Sequence, residues 1–498
     1  MTDAAVTDVA MTDVAVTDVA RPDAGGSADR LSGAAVGGEL GLPKGFRFGT
    51  ATAALQIEGA VAEDGRGVSI WEVFTAQPGR VRGGDTPAVA ADHYHRYRED
   101  VALIAGLGAD DYRFSIAWPR VIPGGTGTPN PAGLDFYDRL VDELLAAGVR
   151  PVPTLYHWDL PVALQEQGGW MARQTATAFA DYVDVVLDRL GDRVTDWLTL
   201  NEMNVHALYG HALADHAPAL ELGLGALPAA HHQLLAHGLA VQRIRAAGDF
   251  RVGVVGQHFP VHAATEDAVD REAAEAFEIL TNWTFADPIL LGRYPVPEIT
   301  ELIAATTGLD ETQLAADLEV ISAPLDFYGV NYYEPTKIEA PRAEKDYHGV
   351  LEVDIPAGLP FSPVRYEGVE RTDFGWSIIP AGLTEILRTL AARYPAMPPI
   401  IITENGASYH DDDPVAGRVA DPRRIDFLAG HLRAVADAID AGVDIAGYYV
   451  WSALDNFEWA AGYAERFGLI HVDFDSGART RKDSWFFYRD LIAASRVP

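Results

Sequence analysis

Cysteine is absent from the chain, and with it go disulfides, thiolate catalysis, iron–sulfur clusters and thiolate zinc sites. Basic residues are scarce. Against 72 Asp and Glu stand 38 Lys and Arg, a net charge of −34 that opposes attraction to nucleic acid or to an anionic membrane surface. No uninterrupted apolar run approaches the length of about 18 residues needed to cross a bilayer. Glycine-rich phosphate turns are missing too: Gly49-Thr50-Ala51-Thr52-Ala53 fits neither the dinucleotide fingerprint nor the P-loop. What remains is 498 residues, 48% hydrophobic and 22% charged, the composition of a globular protein with a large core. A small neutral or cationic partner is expected, with no nucleic acid, membrane or cofactor involved. Metal binding is not expected either. His93 and His95 do not share a helix face and His231 and His232 are adjacent, whereas metal spacing prefers i, i+4.

Residues 1–41 differ from the rest. TDAAV, TDVAM, TDVAV and TDVAR repeat from Thr2 to Arg21, followed by a Gly/Ala/Ser-rich stretch to Gly41. The period of five matches neither helix nor strand, and an acidic tract without aromatics buries too little to offset chain entropy. A disordered acidic tail is expected there, with residues 42–498 as one catalytic domain. The tract has neither the basic start and apolar centre of a signal peptide nor the Arg-rich character of a transit peptide, so a cytoplasmic location is expected.

From Phe46 onward, short apolar runs alternate with segments of helical period. Strands are predicted at Phe46–Thr50, Asp111–Ile116, Arg150–Tyr156, Thr195–Leu200, Arg251–Gln257, Leu325–Asn331, Pro399–Thr403 and Asp444–Val450. Most read as continuous buried runs, as parallel strands covered on both faces do. Between them, Tyr137, Leu140, Val141, Leu144 and Leu145 form one helical stripe, and Phe179, Tyr182, Val183, Val186, Leu187 and Leu190 another. Such β-then-α units predict a single (β/α)8 TIM barrel with long βα loops; a doubly wound open sheet is the alternative.

In a barrel the residues just past each strand gather at one rim. Here they are polar and aromatic: Gln56, Glu58, Arg113, Trp118, His157, Trp158, Asn201, Glu202, Gln257, His258, Asn331, Tyr332, Glu404, Asn405, Trp451, Glu458 and Trp459. Glu202 and Glu404 end the fourth and seventh strands and face each other across a closed ring. Paired carboxylates flanking a neutral substrate suit glycoside hydrolysis, one protonating the leaving oxygen and the other attacking or stabilising the anomeric centre. The amides and histidine can bond ring hydroxyls, and indole faces suit the C–H side of a pyranose. The segment from Glu334 to Phe374, without clear periodicity, is expected to wall the pocket.

At these residues the sequence resembles glycoside hydrolase family 1, the β-glucosidase type of retaining enzymes. The resemblance runs from Phe46 to the C-terminus through Phe48–Ala53 with Gln56–Gly59, Asp92–Tyr97, Tyr112–Ile116, Leu155–Asp159, Thr199–Glu202, Ile402–Gly406 and Trp451–Trp459. It implies Glu404 as nucleophile, Glu202 as acid/base, and Gln56, His157, Asn201, Glu458 and Trp459 as the grip on the terminal sugar, with Trp451 beneath it. Trp158 and Phe467 complete the implied binding residues, and Arg113, Asn331 and Tyr332 the support of the carboxyls. A small β-glycoside or oligosaccharide is the implied substrate, with glucose, galactose and fucose as candidate sugars, and a homo-oligomer is possible. Glu458-Trp459 followed by Ala464–Phe467 favours an unphosphorylated sugar, since carboxylates repel phosphate.

The chain departs from the family at two positions. Met203 follows Glu202 where proline is usual, leaving the Glu202 backbone freer, and Ala453 stands where a larger apolar residue is common. A transglycosylase of the same fold and a catalytically silent sugar-binding protein are the competing readings.

Overall fold

The computed structural model describes residues 31–351, 354–356 and 358–496. Eight strands close into a parallel barrel: β1 (Arg47–Ala51), β2 (Asp111–Ser115), β3 (Arg150–Tyr156), β4 (Asp196–Asn201), β5 (Arg251–Gln257), β6 (Tyr328–Asn331), β7 (Ile400–Asn405) and β8 (Ile445–Trp451). Each pairs with its neighbours in sequence, and β1 closes the ring against β8 with Ala51 opposite Trp451. The TIM-barrel prediction is therefore correct and the open sheet is excluded. Strands β3 and β5 match their predicted spans, and the others shift or shorten by a few residues at their ends. The strands form because both faces are covered: β1, β2, β4 and β7 are buried at every residue, as βα crossovers require.

Inside the ring, Val152, Leu198, Val255, Phe327, Ile401 and Tyr449 pack into one apolar cluster. Below it the N-terminal ends of the strands are plugged by charge. Arg47 bonds Asp196 at 2.7 Å and lies 3.3 Å from Asp111, Arg251 joins Asp196 at 2.9 Å, and the Tyr449 hydroxyl donates to Asp111 at 2.7 Å. The ion ring seals that end, leaving the opposite rim for substrate.

The helices cover the barrel by their predicted stripes, with one correction. In Pro131–Ala146 the buried residues include Phe136, Tyr137, Leu140, Val141 and Leu144, whereas Leu145 is 41% exposed. The stripe is completed by Phe136 at its N-terminal side, because a 3.6-residue period rotates position 145 out of the interface. In Gln174–Leu190 all six predicted residues are buried. His93 is buried against Asp100 and His95 bonds Asp92 and Glu63, while His231 bonds Tyr294 and Asp317 and His232 the Trp170 carbonyl.

The repeat from Thr2 to Arg21 lies outside the described residues. The remainder of the expected tail is not all unstructured: Gly33–Glu39 is a helix against the C-terminal helix Asp483–Ser495. Its glycines make this possible. A Cβ on Gly33 would lie 2.0 Å from the Phe487 carbonyl oxygen, and one on Gly37 2.4 Å from that of Leu491. Small residues spaced by four thus let the two backbones touch. The segment from Glu334 to Phe374, which lacks clear periodicity in the sequence, contains the strands Thr336–Glu339 and Ser362–Pro363, which join Val261–Ala263 in a small sheet.

Candidate active site

Glu202 sits one residue past β4, at φ 44°, ψ 59°. For a non-glycine residue this left-handed conformation costs about 1–2 kcal/mol, and the surroundings hold it there. Its N–H donates to the Val255 carbonyl at 2.9 Å, and Asn331 Nδ2 donates to its Oε1 at 2.7 Å. Met203 opens the short helix Met203–Val205 and is itself buried. The aim of Glu202 is thus fixed by the bonds to Val255 and Asn331, without the proline ring.

Glu404, the penultimate residue of β7, receives Arg113 Nη1 at 2.5 Å on Oε1 and the Tyr333 hydroxyl at 2.7 Å on Oε2. The predicted Tyr332 is not the supporting hydroxyl: it donates to the Ile379 carbonyl at 2.9 Å. Alternation explains the correction. Asn331 ends β6 with its amide toward the site, so the residue two further on, not the next one, returns to that side.

Asn201 ties the two acids together. Its Oδ1 accepts from Arg113 Nη2 at 2.6 Å and from Asn331 Nδ2 at 3.2 Å, so that one network runs Glu404–Arg113–Asn201–Asn331–Glu202. Asn331 is itself oriented by the Thr403 hydroxyl at 2.7 Å. Both carboxyls are buried. Burial first, and the nearby charge of Glu404 second, push the Glu202 carboxyl up to about 8, so it is protonated at neutral pH.

The predicted sugar-binding residues assemble beside this network. Asn201 Nδ2 donates to His157 Nε2 at 3.1 Å, which puts the ring proton on Nδ1, a buried atom without a protein partner. Burial, and secondarily Arg113, hold this histidine well below its usual range, so it is a neutral donor. Gln56 Nε2 donates to Asn456 Oδ1, to the Phe457 carbonyl and to Glu458 Oε2 at 3.0, 3.0 and 3.2 Å, leaving its buried Oε1 unpartnered. The His157 ring lies near-parallel to Trp451 and Trp459, at 6.0 and 5.8 Å between centroids.

Trp158 belongs to the scaffold of this site. Its indole N–H donates to the Asn201 carbonyl at 3.0 Å, and its ring packs 4.6 Å from Trp459. Phe467 joins Trp451, Ala51 and Ala53 in an apolar wall against which Tyr333, Phe374 and Trp376 pack. Tyr333 and Trp376, whose ring centroids are 5.0 Å apart, are additions to the predicted residues.

Several other strand-end residues serve the framework. Glu58 is held by Arg120 at 2.8 Å and Tyr137 at 2.6 Å. His258 bonds Tyr328 and Asn282, and Asn405 bonds the Tyr332 carbonyl and the Tyr448 hydroxyl. The Trp118 indole donates to Gly125.

A protonated carboxyl and a second carboxyl paired to a guanidinium, joined by one network among indole faces and open hydrogen-bonding atoms, meet the demands of cleaving a glycosidic bond. The class so defined is glycoside hydrolase. Over residues 39–497 the sequence matches Glycosyl hydrolase family 1, and the chain belongs to that family. It is 47% identical over 459 residues to a thermostable beta-glucosidase B of Thermobispora bispora, covering 91% of each chain. To a bifunctional beta-D-glucosidase/beta-D-fucosidase of Bifidobacterium breve it is 44% identical, covering 91% of this chain and 98% of the relative. The crystal structure of a psychrophilic beta-glucosidase from Micrococcus antarcticus superposes with a TM-score of 0.87 at 45% identity, over 93% of this chain and 99% of that one.

Proposed function

We propose that the protein is a retaining β-glucosidase that removes terminal unphosphorylated β-glycosyl residues, with glucose as principal sugar and fucose or galactose accepted. The observation that carries this reading is the shared network in which Glu202 is held protonated while Glu404 is paired to Arg113. Glu404 attacks the anomeric carbon as Glu202 passes its proton to the leaving oxygen. The glycosyl ester that forms removes the charge of Glu404. With it goes part of what raises the Glu202 pKa, so Glu202 can now take a proton from the attacking water.

His157 Nδ1–H, Gln56 and Glu458 bond the hydroxyls of the sugar, and Trp451 and Trp459 supply its apolar faces. Absence of a phosphate on the sugar follows from the acidic surroundings. Glu458 stands in the grip, where its carboxylate accepts from Gln56 Nε2 at 3.2 Å and would repel a phosphate.

The reading is tested by proton NMR of aryl β-glucoside hydrolysis. Retention requires the β-anomer of glucose as first product; an α-anomer first product overturns it. Glu404→Ala is expected to lose several orders of magnitude in kcat.

A further inference from the structure

The acid that protonates the leaving oxygen stands past the end of β4, and in the eight-stranded ring β8 and β1 lie across from β4 and β5. The end of the sugar remote from the anomeric carbon, with the hydroxyls on C4 and C6, therefore points to the loops after β8 and β1. Those loops carry Glu458, Trp459 and Gln56.

The turn that presents Glu458 and Trp459 has a costly backbone. Trp459 stands at φ 46°, a left-handed conformation that a bulky side chain disfavours. Gly462 stands at φ 62°, ψ −132°, open to glycine. Within the turn, the Glu458 N–H donates to the Gly462 carbonyl at 2.7 Å and the Ala461 N–H to the Glu458 carbonyl at 2.8 Å. The Trp459 ring is packed by Trp71 and Trp158, each with its centroid 4.6 Å away. These contacts fix the ring; the backbone is held from a remote part of the chain.

That hold is Asp85, half-buried in the connection between β1 and β2. Its Oδ2 accepts the Tyr463 N–H at 2.9 Å, a bond strengthened by the carboxylate charge. The same oxygen lies so close to Gly462 that a Cβ there would come within 2.4 Å of it, and within 3.0 Å of the Arg82 carbonyl oxygen. Thr86, the next residue, takes the Tyr463 hydroxyl on its carbonyl at 2.8 Å. The Tyr463 ring in turn packs edge-on against Phe457 at 5.5 Å. Phe457 precedes Glu458, and its carbonyl accepts Gln56 Nε2. The turn is thus gripped at its far end by Asp85 and tied back to its near end through Tyr463.

We propose that Asp85 is a positioning residue for the sugar grip. Acting through the turn Glu458–Gly462, it sets the Glu458 carboxylate against the C4 and C6 hydroxyls, and with it the preference for glucose over a sugar that lacks the hydroxymethyl group. The proposal rests on the β-glucosidase reading above and adds what holds its sugar specificity in place.

Two measurements read the same contact with and without turnover. One is kcat/KM on nitrophenyl β-glucoside and on nitrophenyl β-xyloside, which lacks the hydroxymethyl group. The other is calorimetric affinity for 1-deoxynojirimycin and for its analogue without that group. Asp85→Ala is expected to lower both glucose-to-xylose ratios at least about fivefold, in kinetics mainly through KM. Asp85→Asn, whose amide oxygen can still accept the Tyr463 N–H, is expected to stay within about twofold of wild type. Gly462→Ala, which pushes the turn off Asp85 from the other side, is expected to reproduce the loss. In a Glu458→Ala background, adding Asp85→Ala should move the ratios less than about twofold, because the group through which Asp85 acts is already gone. Gly37→Leu, at the helix contact far from the site, is expected to keep the wild-type ratios.

Wild-type ratios in folded Asp85→Ala and Gly462→Ala overturn the role of Asp85 and leave the hydrolase reading intact. So does a loss that recurs undiminished in the Glu458→Ala background. If Asp85→Ala does not fold, Gly462→Ala decides by the same two criteria. A fall in the inhibitor ratio in a protein that turns over neither glycoside supports the positioning role and overturns the reaction proposed above.

Discussion

Glu202 and Asp159 are two carboxyls that burial pushes up from 4.5 and 3.8 to about 8, but only Glu202 has a charged neighbour whose charge the proposed reaction removes. The basic limb of kcat/KM is therefore expected to fall near pH 8. In Glu404→Gln, carbon NMR of labelled glutamate should show Glu202 titrating at lower pH. Stability carries the same signature with the opposite benefit. Between their unfolded values near 4 and about 8, the folded state binds more protons than the unfolded, so stability falls as pH rises through that window. Asp159→Asn and Glu202→Gln should each flatten the slope of urea midpoint against pH and raise the midpoint at pH 8. The two tyrosines after Asn331 separate cleanly as well. Tyr333→Phe deletes a hydrogen bond to the Glu404 carboxylate and should cost roughly 10–100-fold in kcat/KM, since bonds to charged groups contribute about 1.5–3 kcal/mol. Tyr332→Phe loses only a bond to the Ile379 carbonyl and should lower the urea midpoint slightly, with kcat nearly unchanged.

At the scale of elements, the loops after β7 and β8 are locked to each other by buried charge. Lys482 bonds Asp411, and it bonds Asp455 at 2.7 Å; Arg424 bonds Asp411 at 3.0 Å and Asp421 at 2.8 Å. Lys482→Met leaves two buried carboxylates short of a partner and is expected to destabilise the protein by about 3–5 kcal/mol, read by chemical denaturation. Nothing in the sequence singles out this cluster, because its members lie up to 71 residues apart and each alone resembles a solvated charge. The barrel is legible for the opposite reason: strands buried on both faces declare themselves locally, as Arg150–Tyr156 does. Within the site, Glu202, Glu404 and Asn331 stand at strand ends that the pattern locates, whereas Arg113 is the middle residue of β2 and reaches Glu404 and Asn201 from within the strand. Tyr333 is found only when the strand's alternation is carried two residues past its end, and Trp376 escapes the pattern because its place depends on how the chain returns from the small sheet after β6. Trp158 has the sequence position of a ligand-facing indole, and only the fold reveals that its N–H is committed to the Asn201 carbonyl.

For the whole molecule, the helix Gly33–Glu39 matters more than its length suggests. Composition argues against structure there, since glycine and alanine bury little on their own. Contact with Asp483–Ser495 tips the balance the other way, because the missing side chains allow the close backbone approach. Gly37→Leu would drive a side chain into the Leu491 carbonyl and should release the helix. Faster amide hydrogen exchange over 33–39 and 487–495 would check this, with a stability loss of about 1–3 kcal/mol. The pairing also brings remote parts of the polypeptide side by side: the Ser495 hydroxyl donates to the Gly37 carbonyl at 3.3 Å. A circular permutant that joins residue 496 to residue 31 through a short bridge, reopened at the exposed left-handed turn of Gly308, should therefore regain the same barrel, making the order in which the eight strands are synthesised a free variable for engineering.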